Sequence, residues 1–448
     1  MVPSQQMAAR PNLLWLFCDQ LRYHALACNG DRNVATPNLD RLAGGGVRCT
    51  HAVSHYPVCM PFRAGLVTGQ YAHVHGLRVQ GDLLPPRRRT IAYAFRQAGY
   101  RTSWVGKWHL AGEHQDFWVD PQLRGGFEDW YGFNVSNNYY RSCYCHGDEA
   151  EPIPLQGYQT DALTDLSLRY LDEVARTSGR PWFHCLSVEA PHHGIGRDGR
   201  DGQPAPPEYE ARFTPEAVEL RGNVPPHLEQ QARAKLAGYY AMIANLDHNV
   251  GRVLDWLEQS GLAESTLVAF FSDHGELGGS HGHFGKYRPY DESIRIPLLL
   301  RLPGTLPAGT VHEGVVSGID LFATCAGLCG VPLFAGLQGI DQSPVLLGDT
   351  GAVRDAALVQ WLGPSRTPWD DGYPYRAIRT RRHTYCVGPD EPFRLLFDNE
   401  DDELQLSNLF GQRSAAGLQA RLHRRLCNAV TQSGEPLPDF LIDRGEWT

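Results

Sequence analysis

The chain has 448 residues, 42% of them hydrophobic, and a formal net charge of −9. This length and hydrophobic content fit a globular enzyme built from one large domain and a smaller one. The negative charge argues against a general nucleic-acid-binding protein, and we interpret the basic runs at 87–89 and 379–382 as solvated loops. Eleven cysteines without a framework spacing favour reduced thiols over a secreted disulfide scaffold. The short polar segment 1–10 and the brief apolar run after it predict a cytoplasmic protein without a membrane span.

Strands and helices alternate over most of the first 340 residues. Apolar runs that end in polar residues predict strands at 13–18, 181–188 and 266–271, and a further strand is predicted at 101–105, after the helix at 91–99. Capping residues and three-to-four spacing of apolar side chains predict helices at 36–42, 91–99 and 226–261. The alternation indicates an α/β fold with a large, mainly parallel or mixed sheet flanked by helices.

From about residue 351 the pattern changes to short strands separated by turn residues. The predicted strands are 375–381, 383–387, 393–398 and 404–407, and a final helix covers 415–432. We therefore expect a catalytic domain over 1–350 and a C-terminal subdomain over 351–448, the latter a small antiparallel sheet with one helix.

Polar side chains follow three different apolar strands. Asp19 comes after the first strand, His192 after the strand at 181–188, and Asp273 after the strand at 266–271. Ligands of such folds bind outside the carboxyl ends of the strands. The three side chains are therefore expected at one edge of the sheet, although each one alone could simply terminate its strand.

Cys59 lies just before a predicted helix start, because Pro61 fits the first turn of a helix. A helix N-terminus favours an anion and lowers a thiol pKa, which would suit a reactive thiolate. Free cysteine is also among the most buried residue types, so a packed structural cysteine is an equal alternative. The five residues around Cys59 do not decide between the two.

The chemistry of the other candidate residues suits a hard cation and an oxyanion. Two aspartates with neighbouring amide or imidazole groups favour Ca²⁺ or Mg²⁺, whereas a cysteine sulfur is a poor ligand for either ion. An oxygen species derived from Cys59 would fit such a site better. The cationic side chains that an anionic tetrahedral group would need are Arg63, Lys107, His109 and Lys286.

In the order and spacing of these residues the chain resembles the type I sulfatases of the alkaline phosphatase superfamily, over nearly its whole length. The motifs that carry the resemblance are Cys59 to Arg63 with Leu66 to Gly69, Thr36 to Asp40, Gly106 to His109, Ser272 to Glu276, and Ser280 to Gly282 with Lys286. The cysteine motif is the specific signature, and the others corroborate it.

The resemblance implies an alkaline phosphatase-like fold and hydrolysis of a small-molecule sulfate monoester of an alkyl, aryl or sugar alcohol. It also implies a separate maturation enzyme that converts Cys59 to formylglycine. It implies one divalent metal ion as well, with Ca²⁺ as the first choice and Mg²⁺ or Mn²⁺ as alternatives. The implied metal ligands are Asp19, Gln20, modified Cys59, Asp273 and His274. By the same resemblance, Arg63 and Lys107 stabilise the nucleophile, His109 takes its proton, and His192 with Lys286 binds sulfate and assists the leaving group.

Two positions depart from the family pattern. Gln20 stands where a second aspartate is usual, and Phe62 stands where serine or alanine is usual. The glutamine also occurs in choline-sulfatase and phosphonate monoester hydrolase branches, so phosphonate monoester or phosphodiester hydrolysis is the alternative activity. A binding protein with unmodified Cys59 is an alternative of another class. The sequence does not identify the alcohol, and it leaves homo-oligomerisation open.

Overall fold

A computed structural model describes residues 10–79, 81–112, 117–349, 353–363 and 374–442. Its strands are β1 (Asn12–Asp19), β2 (Val47–Val53), β3 (Arg101–Lys107), β4 (Asp129–Phe133), β5 (Cys143–His146), β6 (Ile153–Pro154), β7 (Trp182–Pro191), β8 (Gly194–Ile195), β9 (Asp201–Gly202), β10 (Thr266–Ser272), β11 (Leu298–Arg301), β12 (Thr310–Ser317), β13 (Ala356–Trp361), β14 (Tyr375–Thr380), β15 (His383–Val387) and β16 (Arg394–Asp398). Its helices are α1 (Pro37–Gly44), α2 (Cys59–Thr68), α3 (Ala72–His75), α4 (Ile91–Gln97), α5 (Gln159–Thr177), α6 (Pro207–Glu210), α7 (Glu229–Gln259), α8 (Asp291–Ile294), α9 (Asp320–Leu328), α10 (Ser343–Leu346) and α11 (Ala416–Gln432).

The large sheet has the strand order β12-β2-β11-β10-β1-β7-β3-β4-β5-β6. Its centre is parallel, since β1 pairs in parallel with β10 and β7, and β3 pairs in parallel with β7 and β4. Antiparallel strands flank this centre, where β11 pairs with β10 and β5 pairs with β4. The prediction of a large mixed sheet is confirmed, and the carboxyl ends of β1, β3, β7 and β10 meet at one edge.

Alternate side chains of the central strands belong to two apolar cores, one on each face of the sheet. On β1, Trp15 and Phe17 belong to the core that includes residues of α2, α4 and α9. Leu14 and Leu16 belong to the opposite core, which includes residues of α1, α5 and α7. Every residue of β1 is buried, and the six residues between Asn12 and Asp19 are all apolar, as expected for a strand covered on both faces.

The small sheet is antiparallel, with the order β13-β14-β15-β16, and α11 packs on it through Leu422 and Leu426. The prediction of a strand at 404–407 is wrong. The additional strand of this sheet is β13, which pairs with β14 at the opposite end from β16. The Asp402 carboxylate accepts hydrogen bonds from the backbone N–H groups of Leu406 (3.0 Å) and Ser407 (2.8 Å), which holds this segment in a turn.

The interpretation of 379–382 as a solvated loop is wrong for Arg379. This arginine is 1% exposed and lies on β14, where Nε and Nη2 donate to the Asp291 carboxylate at 2.8 and 2.9 Å. Burial opposes ionisation of Asp291, but Arg379 holds the pKa of this carboxyl well below its usual range. A buried ion pair thus joins the small sheet to α8.

The long helix predicted over 226–261 begins at Glu229 instead, because Pro226–Leu228 forms a 3₁₀ turn before it. None of the helices that the described ranges contain is both long enough and apolar enough to cross a membrane.

Replacement of Gly106 tests the close approach of β3 to β7. Gly106 has φ +94°, and a Cβ atom there would lie 2.0 Å from the Ser187 carbonyl oxygen. We expect Gly106→Ala to lower the free energy of unfolding by more than ~3 kcal/mol, measured by denaturant titration. Gly99→Ala is the matched control, since Gly99 has φ +90° with open space around it, and it should cost only about 1–2 kcal/mol. Equal losses in the two variants would contradict this account.

Candidate active site

The register of β1 and β10 brings two carboxylates together at the sheet edge. Cys18 pairs with Ser272, so Asp19 and Asp273 follow side by side. Cys59 is the first residue of α2, and it reaches the same point. One ligand atom from each of Asp19, Cys59, Asp273 and His274 lies within 4.8 Å of the other three, and all four residues are buried.

Asp19 is held by two cations. Its Oδ2 accepts a hydrogen bond from Arg63 Nη2 at 3.1 Å and lies 2.9 Å from Lys107 Nζ. Burial alone would raise the pKa of Asp19, but the positive charges of Lys107, Arg63 and Lys286 hold it well below the usual range. Asp19 is therefore a carboxylate at neutral pH.

Asp273 is less well compensated by positive charge than Asp19 is. Its Oδ1 accepts hydrogen bonds from the backbone N–H of Gln20 (3.0 Å) and of His274 (2.9 Å). Its Oδ2 lies 3.8 Å from Arg63 Nε and is buried without a hydrogen-bond partner among the described residues. Burial and the negative charge of Asp19 raise the pKa of Asp273 to about 7. A divalent cation among these oxygens would relieve that repulsion, so the residues fit a hard-metal site.

His274 presents a ring nitrogen to the same point. Its Nδ1 donates to the Gly275 carbonyl oxygen (3.0 Å), which leaves the Nε2 lone pair directed at the cluster, 3.2 Å from Cys59 Sγ. Burial and then the charge of Lys286 lower the pKa of His274 well below its usual value. A neutral imidazole with its second nitrogen fixed in this way is suited to binding a metal.

The environment of Cys59 does not favour a thiolate. Burial and the charge of Asp19 raise the pKa of the Cys59 thiol to about 12, although Lys286 Nζ lies only 3.0 Å from the sulfur. The raised pKa therefore argues against the hypothesis that the helix N-terminus produces a reactive thiolate. A sulfur placed among oxygen ligands and two lysines fits a residue that is replaced by an oxygen species before the site works.

Gln20 lies beside the cluster with φ +67° and is 1% exposed. Its Nε2 donates to Glu276, and its Oε1 is buried without a hydrogen-bond partner among the described residues. The Glu276 carboxylate also accepts from the backbone N–H groups of Gly278 (2.8 Å) and Gly285 (2.7 Å). An amide is therefore the group that suits position 20, because an aspartate there would give Glu276 no donor.

The structure also places the two predicted histidines. His192 is buried, and its Nδ1 donates to the His193 carbonyl oxygen at 2.6 Å, while burial and then Lys286 lower its pKa well below the usual value. His109 follows β3 with φ +63°, and its buried Nδ1 has no partner among the described residues. Burial and the charges of Lys107 and Arg63 lower the pKa of His109, so both rings are neutral.

Sequence reasoning gave no role to Glu189 and Ser187 on β7. Glu189 lies 3.6 Å from Lys107 Nζ and accepts a hydrogen bond from Gln159 Nε2 at 2.8 Å. The Ser187 hydroxyl accepts from Arg63 Nη1 (2.9 Å) and donates to the Lys107 carbonyl oxygen (2.8 Å). These two side chains fix Arg63 and Lys107. A charged residue inside an otherwise apolar strand was the available signal for Glu189.

Phe62, the second departure, packs into the core on the α2 side of the sheet. Its ring stacks on His55 with centroids 4.8 Å apart and lies 6.2 Å from the Phe17 ring. Gly318 makes room for it, since a Cβ atom at this position would lie 2.4 Å from the Phe62 ring. The larger side chain is thus accommodated by its neighbours.

A cavity of about 440 Å³ adjoins the cluster. Its floor includes the buried side chains of Lys286, Gln20 and Tyr239, and its rim includes the exposed Lys235 and Asp201. The cavity therefore leads from solvent to the lysine that contacts Cys59.

A sequence model described as Sulfatase matches residues 11–331, and one described as N-sulphoglucosamine sulphohydrolase, C-terminal, matches residues 279–432. The chain belongs to the sulfatase family. It is a hydrolase of sulfate esters. The matched residues contain the whole buried cluster described above, with the lysines and arginine around it.

Individual relatives agree with this assignment. The sulfatase is 33% identical over 441 residues to a protein of Formosa agariphila named ulvan-active sulfatase, covering 97% of this chain and 84% of that one. A solved structure in complex with its substrate D-glucosamine-2-N,6-O-disulfate has a TM-score of 0.80 at 22% identity and covers 95% of this chain and 98% of that one. The phosphonate monoester hydrolase of Agrobacterium radiobacter has a TM-score of 0.76 at 24% identity, covering 95% and 96%. The two structures show the shared fold.

The Gln20–Glu276 contact predicts a compensating pair of substitutions in the sulfatase. Gln20→Glu should destabilise the metal-free protein by about 2–4 kcal/mol, because it places two buried carboxylates against each other. Adding Glu276→Gln restores one donor and one acceptor. The double variant should recover most of the lost stability, as measured by thermal unfolding in a double-mutant cycle. Strictly additive effects of the two substitutions would contradict the contact.

The repulsion between Asp19 and Asp273 predicts how the sulfatase responds to Ca²⁺. Saturating Ca²⁺ should stabilise the wild-type protein, by about 2.7 kcal/mol at a hundred times Kd. Asp273→Asn should raise the unfolding midpoint of the metal-free protein, since it removes the repulsion, and should weaken the response to Ca²⁺. The exposed Asp439→Asn variant is the control and should respond like the wild type. A metal response that survives in Asp273→Asn would exclude Asp273 as a ligand.

Proposed function

We propose that this sulfatase hydrolyses the sulfate monoester of a sugar alcohol, with residue 59 working as formylglycine and one divalent cation, Ca²⁺, bound beside it. The observation that carries the proposal is the buried cluster of Asp19, Cys59, Asp273 and His274. Its oxygen-rich composition favours a hard cation, and the raised pKa of the Cys59 thiol makes an unmodified sulfur nucleophile unsuitable.

Asp19, Asp273, His274 and the free amide oxygen of Gln20 would hold the cation together with residue 59. Bound there, the cation would polarise the sulfate oxygens and hold the nucleophile. Formylglycine would supply a hydrated aldehyde, whose hydroxyl groups allow one difficult displacement to be split into two easier ones.

The remaining side chains take roles that follow from their positions. Arg63 and Lys107 neutralise Asp19 and keep a positive potential at the nucleophile. Lys286, whose Nζ lies 3.0 Å from residue 59, binds the sulfate group on the cavity side together with His192. His109 is neutral, and its Nδ1 has no partner among the described residues, so it can accept the proton of the nucleophile.

The cavity next to Lys286 would hold the alcohol. Its volume of about 440 Å³ fits a ligand of one or two sugar units, and its wall combines the rings of Phe284 and Tyr287 with the polar groups of Gln203 and His193. The ulvan-active relative and the aminosugar disulfate complex support a sugar as the alcohol, because their names state carbohydrate substrates.

Conversion of Cys59 is tested by producing the protein with and without a formylglycine-generating enzyme. We expect a peptide spanning residue 59 that is lighter than the cysteine form, and esterase activity on 4-nitrophenyl sulfate that rises with its share. Cys59→Ala should lower kcat at least about 10³-fold, since it removes the nucleophile. Full activity of a protein with only unmodified thiol would contradict the proposal.

The same preparations separate sulfate from phosphonate chemistry. Measured kcat/KM for matched aryl sulfate and aryl phosphonate esters should favour the sulfate. Dominant hydrolysis of the phosphonate would favour the alternative activity.

A further inference from the structure

Lysine occurs in this chain only at positions 107, 235 and 286. All the other residues among its 41 lysines and arginines are arginine. Lys107 and Lys286 contact the buried cluster. Lys235 lies on α7, far from both in sequence, and yet it lines the cavity that leads to Lys286. All three lysines therefore lie at the active site or on the approach to it.

The ammonium of Lys235 has no anionic partner in the part of the chain that the structure describes. It is exposed, and its Nζ lies over the Phe284 ring at 4.7 Å from the centroid. No carboxylate of the described residues lies within ion-pair distance of it. Many exposed arginines do pair, as Arg41 does with Asp255 at 2.8 Å. Lys235 is thus a positive charge left available at the rim of the cavity.

The other charged groups of the cavity do not neutralise Lys235. Glu276 accepts three hydrogen bonds from Gln20, Gly278 and Gly285, and so is occupied within its own loop. Asp201 on β9 is the remaining carboxylate of the cavity wall. The charges of Lys235 and Asp201 both act on the His193 ring, in opposite directions, while burial and Lys286 dominate its lowered pKa.

We propose that Lys235 selects a leaving group that carries a second negative charge, which is a carboxylate or a further sulfate on the sugar. This inference rests on the proposed function. The ammonium would bind this group at the rim while Lys286 contacts the sulfate to be cleaved. The sugar ring would then lie along the wall that includes Phe284, whose face also positions the lysine. Lys235 is a specificity-determining residue in this account, since it acts on the part of the substrate away from the reacting atoms.

A lysine suits this task better than an arginine would. Its ammonium is a compact point charge on a flexible stem, so it can follow anionic groups at different positions on a sugar. A guanidinium would favour one planar, bidentate geometry. A lysine at position 235, in a chain that otherwise uses arginine, therefore fits a side chain that binds anionic groups at different positions on a sugar.

The test compares glucuronate, glucose 6-sulfate and glucose as inhibitors of 4-nitrophenyl sulfate hydrolysis by the matured enzyme. In the wild type, at least one acidic sugar should inhibit about five- to tenfold more strongly than glucose, the effect of one partly screened ion pair. Glucuronate tests a carboxylate. Glucose 6-sulfate carries a single sulfate that Lys286 can also bind, so only the part of its inhibition that Lys235→Met removes counts as recognition of a second sulfate. Lys235→Met should abolish the preference for glucuronate, Lys235→Arg should keep part of it, and Asp201→Asn should increase it.

Turnover of 4-nitrophenyl sulfate itself provides the control, because it carries no second anion. In all three variants its kcat/KM should change less than the ratio of inhibition by glucuronate to inhibition by glucose, if Lys235 acts on the distal group. Equal inhibition by acidic and neutral sugars in the wild type, or a preference that persists in Lys235→Met, would overturn the inference.

Calorimetry with the same sugars on protein that retains unmodified Cys59 separates the two proposals. A preference for acidic sugars that depends on Lys235 supports the inference even if 4-nitrophenyl sulfate is not hydrolysed. Absence of that hydrolysis after confirmed maturation would contradict the proposed function alone.

Discussion

The site depends on the electrostatic balance around Asp19 and Asp273, two carboxylates buried side by side at the ends of adjacent parallel strands. Burial and mutual repulsion disfavour two negative charges there. Arg63 and Lys107 compensate Asp19, and the charge of Asp273 is left for a cation to compensate. Cys59 lies where these opposing charges meet, so a change in any one of them alters the environment of residue 59.

The parallel centre of the sheet makes this balance geometrically achievable. Because β1, β3, β7 and β10 run in one direction, their carboxyl ends deliver acidic, basic and imidazole side chains to one edge. Neighbouring strands also hold Arg63 and Lys107 in position. Ser187 on β7 orients Arg63, and the close approach of β3 at Gly106 keeps Lys107 within 2.9 Å of Asp19. A rigid scaffold therefore holds charges that would separate in a looser structure.

Much of this site could be predicted from the sequence, since the strand ends at Asp19 and Asp273 are visible as polar residues after apolar runs. The contacts of Glu276 and Glu189 could not be predicted, because each depends on a partner far away in the chain or in a different element. The same limit explains the missed β13 and the false strand at 404–407. Short strands of an antiparallel sheet carry little pattern of their own, and the side-chain hydrogen bonds of Asp402 decided between strand and turn.

The segment from Asp273 to Lys286 combines two parts of the site in one loop. It carries two cluster residues and the lysine beside residue 59, and Phe284 within it lines the adjoining cavity. Because Glu276 closes this segment onto Gly285, an insertion here would displace the cluster residues and the cavity wall together. Divergence toward new substrates is therefore expected to proceed through α7 and the β8–β9 hairpin, whose surfaces can vary while the catalytic loop stays constant.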